Sequence, residues 1–152
     1  MNAHPLWLFL HIASVVVWVG GMFFAYVCLR PAAVEVLEPP LRLSLWVKVF
    51  ARFFRFVWGA VALILGSGFI MLTSLGFAVA PPNLHLMFAL GLVMVGVFVG
   101  VVTVPYAALR EAVEAGNWAA GGAALGRIRK LVGFNLLLGF VTIAVATLGR
   151  WM

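Results

Sequence analysis

The stretch LWLFLHIASVVVWVGGMFFAYVCL, from Leu6 to Leu29, runs for 24 positions without a charged residue. At about 1.5 Å per residue, a helix of that length crosses a hydrocarbon core of roughly 30 Å. A second stretch, NLHLMFALGLVMVGVFVGVVTVPYAAL from Asn83 to Leu109, has the same character. Each carries one histidine near its start, His11 and His85. An ionisable side chain in such a setting is costly and normally faces protein interior or a ligand.

Composition agrees with these stretches. Of 152 residues, 66% are apolar and 9% charged, too few charges to cover a water-soluble core. Four runs are long enough to span: Leu6–Leu29, Phe56–Ala80, Leu84–Leu109 and Leu131–Gly149. Backbone groups in lipid must pair internally, so the runs are helices. The expected fold is an all-α integral membrane protein, one four-helix up-down bundle filling the chain. No basic residue precedes the first run, which is also too long for a signal-peptide core, so a cleavable leader is not expected.

The net charge of +6 is not a nucleic-acid signal, because the cations flank the spans. Arg30, Arg42, Lys48, Arg52 and Arg55 occupy residues 30–55, and Arg110, Arg127, Arg129 and Lys130 occupy 110–130. These five and four make nine of the ten Lys and Arg residues. Only Arg150 lies on the other side. The positive-inside rule puts both loops in the cytoplasm and both termini in the periplasm of a bacterial inner membrane. Pro39-Pro40 breaks the first loop, and LRLSLWVKVFARFF (41–54) is amphipathic, which predicts a segment lying along the interface before the second span. Trp7, Trp46, Trp58, Trp118 and Trp151 fall where an aromatic belt would. Gly96 and Gly100 form a GxxxG pair that would suit a homodimer.

His11 and His85 begin their spans on the same side. Two neutral imidazoles facing one another in a bundle suit six-coordinate iron, and the expectation is haem b with His11 and His85 as axial ligands. A histidine in the first turn of a span can instead sit at the interface or bond a neighbouring carbonyl. Trp18, mid-span, would stack near a cofactor rather than join the belt. Arg150 would pair with a propionate or anchor the helix end. His4 is a solvated tail residue or a reserve ligand, and Met87 is a further reserve. Asn135 reads as an interhelical hydrogen bond, and the methionines and phenylalanines as packing. Cys28 is the single cysteine, about 25 Å along the helix from His11. There is no aspartate, and all four glutamates lie in the loops. Acid–base pairs are thus absent from the spans, and any oxidoreductase chemistry would belong to a cofactor.

HIASVVVWVGG, NLHLMFALGLVMV and the tract PYAALREAVEAGNWAAGGAALGRIRKLVGFNLLLGFVTIAVA resemble the copper-resistance-D-like membrane proteins across all four spans. The spacing His-x6-Trp-x2-Gly, from His11 through Trp18 to Gly21, is also similar to the HemJ-type protoporphyrinogen oxidases, a likeness that implies His11 as a haem ligand. Met87 stands where that pattern has a lysine, and the acidic residue that would follow Asn135 is missing. The resulting expectations are a membrane haem protein passing electrons to or from a quinone, superoxide or a periplasmic partner. The alternatives are a copper-binding protein using His4, His11, His85 and Met87, or a HemJ-like oxidase.

Overall fold

The computed structural model describes residues 4–149. The described residues form four helices long and apolar enough to cross a membrane: Pro5–Val36, Pro39–Leu75, Pro82–Glu114 and Trp118–Leu148. No strand occurs among the described residues. It is a multi-pass protein whose apolar helices require a lipid environment.

Each break has a local cause. Leu37 and Glu38 are extended, and Pro39 then starts the second helix, where its missing N–H costs nothing. Gly76, at φ 86°, closes that helix in a conformation that a side chain would strain. The third helix starts after extended Pro81, with Pro82 in its first turn. It is interrupted at Val104, where Pro105 withholds a donor and disfavours helical geometry in the preceding residue. Gly116, at φ 67°, makes the last turn. The Asn117 side chain then caps the fourth helix by accepting from the Ala120 N–H at 3.1 Å.

The first and third helices both pack between the second and fourth. They occupy the long diagonal of the bundle, which Trp18 crosses to meet Phe98 edge-on at 6.0 Å. Trp18 is 3% exposed, its ring packed in the bundle core.

The second helix departs from expectation. It runs unbroken for 37 residues, about 56 Å, with no interfacial segment turning into a span near Phe56. The apolar face of 41–54 is covered by protein: Leu43, Trp46, Phe50 and Phe54 are buried. Their rings stack in a column, with centroids 5.0 Å apart for Trp46–Phe50 and 5.2 Å for Phe50–Phe54. Tyr106 meets Phe54 edge-on at 5.1 Å, and fully buried Leu109 and Ile128 belong to the same core. Amphipathicity there matches neighbouring helices rather than a membrane surface, and Trp46 is a core residue rather than part of a belt. The expected loops 30–55 and 110–130 are therefore mostly helical extensions, carrying the cations on their outsides.

A Cβ placed on Gly96 or Gly100 would meet nothing. The GxxxG pair mediates no close packing within the chain.

Candidate metal centre

His11 lies two turns into the first helix and faces the second. Its Nδ1 is 2.9 Å from Ser67 Oγ. Ser67, 1% exposed, has one hydroxyl proton, which goes to the Leu63 carbonyl one turn earlier. With that proton on Leu63, the imidazole is placed to donate from Nδ1 to Oγ, the tautomer that leaves the Nε2 lone pair available. Gly68 makes room for the ring, since a Cβ there would sit 3.3 Å from His11 Cε1. Histidines that bind metals usually have their other nitrogen oriented in this way. The Gly66-Ser67-Gly68 triplet, one hydroxyl between glycines in a charge-free span, is the signal that sequence reasoning passed over.

His85 is differently engaged. Its Nε2 lies 3.0 Å from the Phe77 carbonyl and its Nδ1 3.3 Å from the Pro81 carbonyl, with the Phe77 ring edge-on at 4.8 Å. A neutral imidazole has one N–H, and the shorter contact takes it. His85 thus clasps the turn between the second and third helices.

The two histidines share a level. Gly139 abuts Val19, and Gly149 abuts Asn83. Counting eight residues back from Val19 and two on from Asn83 brings His11 and His85 alike to the height of Thr147. Depth does not make them partners, because one ring turns to Ser67 and the other to Phe77. An iron between them would require His85 to leave the Phe77 carbonyl, so His85 in this arrangement does not fit as an axial ligand of haem b. A groove of about 400 Å³ between the first and fourth helices is lined by Val15, Val16, Val19, Phe23 and Phe140 among others. Neither histidine lines it.

The other expected residues are scattered. Met87 is half-buried in the third helix and Cys28 is exposed. Arg150 and the His4 side chain lie outside the described residues. Among the described residues, no group of three or more His, Cys, Asp or Glu could hold a metal ion.

A polar patch does occur deeper in the bundle. Asn135, 3% exposed, points Nδ2 at Met22 Sδ across 3.8 Å. This is the interhelical bond expected of it, made to a sulfur. Its Oδ1 has no hydrogen-bond partner. Further along the fourth helix, Thr142 Oγ1 lies 3.8 Å from Met94 Sδ while donating to the Leu138 carbonyl at 2.8 Å. Between them sits Gly139, where a Cβ would crowd Val19 at 3.1 Å and Met94 Cε at 3.4 Å.

The family model for copper resistance protein D matches residues 47–148. The chain belongs to the copper resistance protein D family. The match covers most of the second helix and all of the third and fourth, including Ser67, His85, Met94 and Asn135. Neither the curated proteins nor the solved structures yield a match to the chain. Within a copper resistance D protein, a neutral histidine nitrogen and buried thioethers are chemically apt donors, since imidazole and sulfur both suit copper.

Proposed function

We propose that this protein binds and handles copper in the membrane, with His11 as the nitrogen donor on the histidine-bearing side. Charge distribution supports assigning that side to the periplasm and the cation-rich extensions to the cytoplasm. One observation carries the reading beyond family membership: His11 Nδ1 lies 2.9 Å from the buried Ser67 hydroxyl, a contact that supports the tautomer whose Nε2 lone pair is free. Copper is the cargo, and His85 shapes the turn beside it.

The haem b reading, with electron transfer to a quinone or periplasmic partner, has less support. It asks His85 to abandon the Phe77 carbonyl, and it has no counterpart in the family name.

Copper titration of the full chain in detergent tests the proposal. Wild-type protein should retain copper, His11→Ala should lose most of its affinity, and Ser67→Ala should lose less. Failure of chelator-washed wild-type protein to retain copper would overturn it. Sharp α and β bands in a reduced-minus-oxidised spectrum would restore the haem reading.

A further inference from the structure

The apolar groove between the first and fourth helices leads into a group of cations. Two of its lining residues, Phe23 and Phe140, meet edge-on with ring centroids 6.3 Å apart. Next along the seam Tyr26 packs across it, where a Cβ on Gly133 would sit 3.0 Å from the Tyr26 ring. The Arg30 guanidinium lies over that same ring, 5.5 Å from its centroid. On the fourth helix Arg129, Gly133, Phe140 and Ile143 follow at steps of four, seven and three, so one face carries them all. Arg30 and Arg129 therefore stand at the same end of the seam, and exposed Lys130 follows at the rim.

No acid answers these cations. Among the described residues, the one ion pair joins Arg110 to Glu114 on the third helix at 4.0 Å. Their level matters as well. Arg129 stands 19 residues before Leu148, about 28 Å along the fourth helix, close to the roughly 30 Å of a hydrocarbon core. The cations thus meet the headgroup layer, and the groove runs beneath them into hydrocarbon. A leaflet's chains span about 15 Å, half that core, which from Arg30 reaches past Phe23 to Gly20. The groove wall there is π-helical over Val16–Gly20, and such widened turns recur at functional sites. Gly20 leaves the wall open, since a Cβ on it would meet nothing within 4 Å.

We propose that this seam binds an anionic phospholipid, its phosphate on Arg30 and Arg129 with Lys130 at the rim, and one acyl chain in the groove. Arginine pairs with phosphate oxygens through parallel N–H bonds, and clustered cations at the membrane surface select anionic headgroups. Val16, Val19, Gly20 and Phe23 offer the chain hydrocarbon and no hydrogen-bonding side chain. A second copy docking by the same seam would set like charges face to face, whereas a lipid phosphate complements them. The site stands apart from the copper reading. Arg30 lies 19 residues from His11, toward the opposite end of the first helix.

Native mass spectrometry of the full chain in detergent tests the site, with phosphatidylglycerol or phosphatidylcholine of the same chains as probes. Wild-type protein should retain one phosphatidylglycerol about tenfold more tightly than phosphatidylcholine. Arg129→Gln should weaken that retention by about fivefold, and Arg30→Gln with Arg129→Gln by about twenty-fivefold. Lys48→Gln, the same loss of charge at an exposed position on the second helix, should leave it at the wild-type value. Gly20→Leu, which fills the groove from open space, should weaken both lipids alike. Inorganic phosphate should not displace the lipid. Equal retention of the two lipids, or wild-type retention in the double variant, would overturn the site. So would a loss in Lys48→Gln as large as in Arg129→Gln, or displacement by inorganic phosphate. Unchanged retention in Gly20→Leu would overturn the place given to the acyl chain.

Discussion

His11 and Ser67 join the first helix to the second through a single 2.9 Å hydrogen bond, donated by the imidazole to the hydroxyl. The serine passes its own proton to Leu63, so the chain of donors has one direction and the histidine one tautomer. Removing the acceptor should release both helix and ring. We expect Ser67→Ala to lower stability by about 1 kcal/mol, measured by thermal unfolding in detergent. Nitrogen NMR shifts of His11 should show the second tautomer appearing.

His85 is expected to matter for the turn and not for the metal. His85→Ala removes the bond to the Phe77 carbonyl, at a cost of about 1 kcal/mol. Hydrogen exchange should quicken over residues 76–85, while copper affinity stays at the wild-type value.

Asn135 stores an unfavourable interaction in the ion-free protein. Burying an amide oxygen without a partner costs about 1–3 kcal/mol. Asn135→Leu should therefore raise the thermal midpoint of the ion-free chain. A lowered midpoint would mean that the Met22 contact outweighs the orphaned oxygen.

Phe54 is the hub of the aromatic column. It touches Phe50 at 5.2 Å, Phe98 at 5.6 Å and Tyr106 at 5.1 Å between ring centroids. Phe54→Ala should cost about 3–5 kcal/mol, the largest loss among these variants, and chemical denaturation should report it.

The four helices were legible because a charge-free run longer than about 20 residues has few other fates. Their ends were harder to read. Nothing in LRLSLWVKVFARFF distinguishes an apolar face meant for lipid headgroups from one meant for Leu109 and Ile128, since both need the same spacing. The site was legible in part. His11 stood out as an ionisable group in a span, but its partner is a serine fifty-six positions away. His85 stood out for the same reason, yet local geometry decided its role: two carbonyls of the adjoining turn were nearer than any distant ligand. Asn135 was legible as a helix tie, but its partner, the Met22 sulfur on the first helix, was not, because only the packing sets those two helices in register.

The length of the second helix has one more consequence. At about 56 Å it overshoots any bilayer, and its surplus carries Trp46, Phe50 and the rings around them. If the cation-rich extensions lie in water, as the charge distribution predicts, the hydrophobic effect presses that cluster together, whereas lipid gives the membrane-embedded half no comparable push. The chain is thus a stiff collar grafted onto a more pliable barrel stave, and urea, acting from the aqueous phase, should loosen the collar first.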